Sequence, residues 1–271
     1  MLSEVEVYRR AHARWRYNTW HVFPPTIQER LADLERQFGE YVERFNAHPP
    51  FSQSQLENHR RTLGLRRKFA SASDALHDPE FADSLAEALR SWEIGGEHYG
   101  TTHLVQPTAF RQQLQSISLA VTQLEHLSID DPNIDDGSVA RKLWHIIRGL
   151  EIVVTSDGDQ VQRKVASGTK TLHHVLPDLV FPIDNEYTAT LFGWSDLGHQ
   201  QEERFKFAFS RIAEIAKTVA PQSYVVNDRN SWNSCTSKVL DNAIVGYCRH
   251  HKLMSRNKQR RRRDQAILHL A

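Results

Sequence analysis

An all-α fold is predicted by three features of this 271-residue chain. Apolar residues recur at steps of three and four almost throughout, the period of a helix face rather than of a strand. Strand signals are few, and the clearest, Tyr224-Val-Val226, is too short to anchor a sheet. The breaks are clusters of Pro, Gly, Asp and Ser, the punctuation that separates packed helices. The expected architecture is two helical lobes with a cleft between them. The first would cover residues 1–105 and the second 106–271, with the two free to interleave.

The elements follow in chain order. After Pro24-Pro25, the residues Ile27, Leu31, Leu34, Phe38, Tyr41 and Phe45 form one apolar face. Phe81, Leu85, Leu89 and Trp92 form a second, and Phe110, Leu114, Ile117, Val121 and Leu124 a third. Val139, Leu143, Ile147, Leu150 and Val154 mark a fourth. Phe205, Phe209, Ile212, Ile215 and Val219 mark a fifth, stopped by Pro221, which cannot donate to a helix ladder. The last is Val239, Leu240, Ala243, Ile244 and Tyr247, with Ser234 or Thr236 as N-cap. Breaks fall at His48-Pro-Pro50, Gly95 to Pro107, Asp130 to Gly137 and Ser156 to Gly158. No internal repeat of fixed period is present.

Hydrophobic residues at 39% and charged residues at 25% describe a soluble globular chain. No run of 18 apolar residues exists to span a membrane. The first residues lack the apolar core of a signal peptide, so the expected location is the cytoplasm. Two cysteines, Cys235 and Cys248, make no disulfide framework and exclude a four-cysteine iron–sulfur cluster. The fifteen histidines include the adjacent pairs His173-His174 and His250-His251, which would point to different faces of a helix. With no His-Glu-x-x-His or Cys-x-x-Cys, neither a metal nor a cofactor is expected. Net charge is only +1, yet Arg249, Lys252, Arg256, Lys258 and Arg260 to Arg263 crowd the C-terminal end. That cluster reads as a solvated tail or as a segment tracking phosphates.

The chemistry concentrates in residues 163–184. A small-residue turn around Gly168 is expected to open a short helix at Thr169 and Lys170. Such a turn points backbone N–H groups outward and makes an anion site. Ala166, Ser167, Gly168, Thr169, Lys170 and the nearby Lys164 are then the candidate phosphate contacts. The chain continues past Pro177 through an apolar run and ends on Asp184 in Phe-Pro-Ile-Asp. Asp184 is placed either to present a carboxylate to a sugar or to cap a helix beginning at Asn185, and one position can do both.

Ala166-Ser-Gly-Thr-Lys-Thr171 followed by Phe181-Pro-Ile-Asp184 resembles the signature of the helix-hairpin-helix DNA glycosylases. There a Gly-x-Gly hairpin with x-Lys-Thr leads through a helix and a Pro-containing run to the catalytic Asp. This chain departs from it in three ways. Ala166 replaces the first hairpin glycine, the Leu-Pro lead-in is missing, and the Lys170–Asp184 spacing of fourteen residues is short. The wording Lys-Thr-Leu-His-His-Val-Leu-Pro-Asp-Leu is similar to a divergent bacterial branch. That branch resembles anti-phage glycosylases that remove glucosylated hydroxymethylcytosine from phage DNA.

The resemblance implies a monomeric enzyme on double-stranded, modified phage DNA. It would flip a base, excise it and leave an abasic site in antiviral defence. Asp184 would be catalytic. Lys170 would be a Schiff-base nucleophile, as in some family members, or a phosphate contact. For the base pocket, Trp20, Tyr99 and Trp194 fall near breaks and are the favoured aromatics. Trp92 and Trp144 sit on apolar faces and read as core; Tyr187 and Trp232 are further stacking candidates. Two other readings compete: a non-catalytic helix-hairpin-helix DNA-binding protein, and a helical regulatory or interaction protein.

Overall fold

The computed structural model describes residues 25–92, 94, 102–155, 157–159 and 164–253. Trp20, Tyr99 and the basic run from Arg256 to Arg263 lie outside the described residues. Within them the structure is mostly helical. Helices α1 (Ile27–Arg36), α2 (Phe38–Ala47), α3 (Gln53–Arg66), α4 (Ala72–His77) and α5 (Pro79–Ser91) come first. Strand β1 (Thr102–Leu104) pairs antiparallel with β2 (Val153–Thr155), with His103 opposite Val154. Between the strands lie α6 (Pro107–Ser116), α7 (Ser118–Thr122) and α8 (Asp136–Gly149). Then follow α9 (Val165–Val175), α10 (Thr188–Leu191), α11 (Gln201–Val219) and α12 (Thr236–His250).

Local signals start these helices where the sequence changes composition. Thr26 with Glu29, and Ser52 with Gln55, form reciprocal capping boxes that satisfy the first orphan N–H groups of α1 and α3. Asp78 caps α5 ahead of Pro79, whose missing N–H costs nothing at the first helical position. Asp135 caps α8 through the N–H of Ser138.

Helix α12 is the axis of the fold. Every residue from Thr236 to Cys248 is buried, and the helix lies along α2. Gly246 permits that approach: a Cβ there would fall 2.1 Å from the Tyr41 carbonyl oxygen. A continuous core runs from Leu31 to Cys248 and takes side chains from both sides of residue 105. A smaller cluster of Phe45, Leu56, Trp92, Trp232 and Val245 sits beside it. Its Trp92 and Trp232 also line the site described below.

The expected turn at Ala166-Ser-Gly168 is not formed. These residues, with Thr169 and Lys170, lie inside α9, which begins at Val165. Three hydroxyls settle into the helix by bonding carbonyls three or four residues back: Ser167 to Lys164, Thr169 to Val165 and Thr171 to Ser167. Gly168 serves packing instead of a turn. A Cβ on it would meet Ile147 Cγ2 at 2.7 Å, so the glycine lets α9 press against α8.

Candidate active site

Asp184 is held where a rigid apolar run ends. Phe181, Pro182 and Ile183 are buried, and the Ile183 N–H donates to Thr169 Oγ1 at 3.0 Å, which ties the run to α9. Asp184 Oδ1 accepts from the N–H groups of Tyr187 (2.7 Å) and Thr188 (3.0 Å) at the start of α10. The capping role is therefore filled by one oxygen. Among the described residues Oδ2 accepts no hydrogen bond, and the side chain lines a pocket.

Lys170 lines the same pocket from α9. Its Nζ donates to the Trp92 carbonyl at 2.9 Å and sits 5.9 Å from the Trp92 ring centre. Phe51, Trp92 and Trp232 supply apolar walls, and Gln55, Lys238 and Asp241 complete the polar lining. The Gln55 amide is already engaged, donating to the Ser91 carbonyl at 2.7 Å and accepting from the Ser52 N–H at 2.7 Å. The interior leaves about 50 Å³ for the centres of water molecules, room for roughly three or four waters.

The charges on the pocket wall are arranged in opposed pairs. Burial pushes the Asp184 carboxyl above the usual aspartate range; Lys170 opposes the shift, Asp241 adds to it, and the two N–H donors again oppose it. Such a carboxylate, once ionised, is poorly solvated and gains most from a positive charge forming beside it. Lys238 and Asp241, one helical turn apart on α12, form an ion pair with side chains only 2% and 8% exposed. The Lys238 ammonium lies 5.0 Å from the ring centres of Phe51 and Trp232 and 5.6 Å from those of Phe45 and Trp92. Four ring faces and one carboxylate thus replace the water that a buried ammonium gives up.

Behind the tryptophans lies a layer of three fully buried histidines. His59 stacks on Trp92 and Trp232, and His173 stacks on His59 and Trp92. The acceptors fix the tautomers. His174 Nδ1 faces the Lys170 carbonyl at 2.9 Å, so it must donate. His174 Nε2 then accepts from His59 Nδ1 at 3.1 Å, and His59 Nε2 accepts from the Ser234 hydroxyl at 2.7 Å. His173 Nδ1 donates to the Val180 carbonyl at 2.9 Å. Burial holds His59 and His173 well below the ordinary histidine range and brings His174 down to about 4. These rings are neutral and back the pocket wall. Among the described residues no group of three or more His, Cys, Asp or Glu is arranged to hold a metal ion.

The structure brings together some of the predicted residues and separates others. Asp184 and Lys170 share the pocket. Ser167, Gly168 and Thr169 are buried in α9, and the Gly168 N–H is spent on the Lys164 carbonyl, so they offer no phosphate cradle. Ala166 lies in the same first turn. The leading N–H groups of Lys164 and Val165 are taken by Gln201 Oε1. Lys164 Nζ is turned to the Arg148 carbonyl and lies 3.7 Å from Glu151. Trp194 stacks on Phe192 at 4.8 Å, with the Arg204 guanidinium 5.5 Å from its ring centre, and is not part of the pocket. Its place is taken by Trp92, which had read as core, and by Trp232.

Phe51, Lys238 and Asp241 were not singled out by the sequence reading. One signal was available for the last two. Apolar residues surround the last helix on all sides, which marks a buried helix. A Lys and an Asp three residues apart on such a helix must be paired and buried with it. No known protein family, curated protein or solved structure significantly matches the chain.

Proposed function

We propose that this protein is a DNA N-glycosylase, with Asp184 as the carboxylate that faces the deoxyribose. The reading is carried by one observation. A half-capped, desolvated aspartate with one uncommitted oxygen shares a small aromatic-walled pocket with a lysine. Breaking the C1′–N bond sends its electron pair to the departing base and leaves positive charge on the sugar. Asp184 Oδ2 stabilises that charge, as carboxylates do in glycoside hydrolysis. Water then adds to C1′; one of its protons stays on the new hydroxyl, and the other passes through the carboxylate to the departing base. Trp92, Trp232 and Phe51 wall the pocket that a base flipped out of the stack would enter. Lys170 is tethered to the Trp92 carbonyl and favours the charged form of Asp184 against its desolvation. That role favours simple hydrolysis to an abasic site over strand cleavage.

The interior is too small for a base carrying a hexose. If the substrate is α-glucosylated hydroxymethylcytosine of phage DNA, as the resemblance suggests, the ring enters and the glucose stays at the mouth. Residues 166–170 supply no phosphate grip, which favours a second reading: a nucleoside hydrolase acting on a free nucleoside through the same pocket. One experiment tests both. Glucosylated, hydroxymethylated and plain DNA, and the corresponding nucleosides, are incubated with the protein and with Asp184→Asn, and released base is measured by chromatography. Release from DNA by the wild type and its loss by at least about a hundredfold in the variant is the expected result, the scale of removing one transition-state charge contact. Equal release by both proteins would exclude Asp184, and no release from any substrate would exclude the function.

A further inference from the structure

Lys238 and Asp241 form the most unusual group of the pocket, and the mechanism above does not use them. A buried ion pair contributes little to stability compared with an apolar pair of the same volume. This pair nonetheless stands at the pocket lining rather than in closed core. Asp241 spends Oδ2 on Lys238, and among the described residues that is its only hydrogen-bond partner. The other oxygen is an acceptor open to the pocket. The ammonium has further protons beyond the one given to Asp241. Aromatic faces hold it in place, so the pair presents a fixed donor next to a fixed acceptor. A planar ring entering the pocket would meet that edge.

Resting on the base-excision reading, we propose that the Lys238–Asp241 pair reads the hydrogen-bonding edge of a pyrimidine that carries an exocyclic amine. The ammonium donates to the carbonyl oxygen and unprotonated ring nitrogen; Asp241 accepts from the amine. Carboxylates are the natural acceptors for the cytosine amine. Lys238 cannot be replaced by a mobile ligand cation, because the aromatic box is already filled by the chain's own lysine.

The test compares two free heterocycles that differ only at that amine, cytosine and pyrimidin-2-one. Each is titrated into the full protein by calorimetry, with the summed tryptophan fluorescence, to which Trp92 and Trp232 contribute, as a second readout. The wild type should bind cytosine about tenfold more tightly or better, the usual scale for one charge-assisted hydrogen bond in a dry site. In Asp241→Asn the amide oxygen stays on Lys238 and its NH2 faces the ligand. The cytosine preference should then fall to about one or reverse, with pyrimidin-2-one binding retained. A second variant, Lys238→Met with Asp241→Leu, keeps an apolar packing of similar volume and should also lose the preference. A pair that is only structural would weaken both ligands equally. Equal binding of the two by the wild type, equal losses in the variants, or no binding of cytosine overturns the proposal. Base binding without excision from DNA or nucleosides would instead leave the edge reading standing and remove the enzyme.

Discussion

At the scale of single residues, Asp184 carries two separable tasks. Oδ1 caps α10, and Oδ2 faces the pocket. Asparagine keeps an oxygen for the cap and loses the charge. Asp184→Asn should therefore melt within about 1 kcal/mol of the wild type, because an Asn cap is nearly as good as an Asp cap. Removing a desolvated charge even favours folding, since burial holds the carboxyl above its ordinary range. Asp184→Ala, by contrast, loses the cap as well and should cost roughly 0.5–2 kcal/mol. Denaturant midpoints of the two variants check this; an Asn variant as unstable as the Ala variant would show that the charge itself holds the fold. The position of Asp184 was legible in the sequence because a Pro-containing apolar run ends there abruptly. Its partners Lys238 and Asp241 were not, since they come from another helix more than fifty residues onward and meet it only through the packing of α12 against α2. Trp232, in the loop before that helix, was one stacking candidate among several.

At the scale of elements, the six apolar faces seen in the sequence became helices, except that Val154 pairs with His103 in β2. Side-chain caps support the first, second and fourth faces. The last helix instead starts at Cys235 without a side-chain cap from Ser234 or Thr236, its burial on all sides deciding its start. The face from Ile27 to Phe45 divided at Gln37 into α1 and α2. The hairpin failed for a physical reason. Ala166, Ser167 and Gly168 are turn-compatible, yet none demands a turn, and α8 rewards the helical alternative by packing Ile147 where a side chain at 168 would sit. The two glycines at helix contacts should answer substitution differently. Gly168→Ala meets the buried, β-branched Ile147 at Cγ2 (2.7 Å), Cγ1 and Cβ, so α8 and α9 must give slightly, and the change should cost roughly 1–3 kcal/mol. Gly246→Ala meets the Tyr41 backbone at 2.1 Å; α2 and α12 must separate, and the loss should exceed about 4 kcal/mol. Urea titrations rank the two. If Gly168→Ala left stability unchanged and weakened DNA binding, the turn expected from the sequence would have to exist in solution.

At the scale of the whole molecule, one layered arrangement ties stability to the pocket: aromatic walls in front, neutral histidines behind, a continuous core around both. The sequence displayed fifteen histidines but not which three would be buried, because adjacency in His173-His174 suggests opposite faces. Burial all round α9 makes both faces interior. This layer sets the acid response. A histidine whose folded pKa is lowered binds its proton less readily folded than unfolded. Its stabilising effect is complete above the unfolded value near 6.5 and is lost as pH falls toward the folded value. For His174 the folded value is about 4, a gap that corresponds to on the order of 3 kcal/mol, and His59 and His173 act in the same direction. Asp184 acts oppositely, its raised pKa favouring the folded state at low pH, but it is one group against three. The thermal midpoint should therefore fall steadily between about pH 6.5 and 4.5, with more than one proton taken up on unfolding. Replacing His174 with Asn, which cannot titrate, should flatten part of that slope. A midpoint that stays level to pH 4.5 would mean that the histidine layer is open to water, and the wall of the pocket with it.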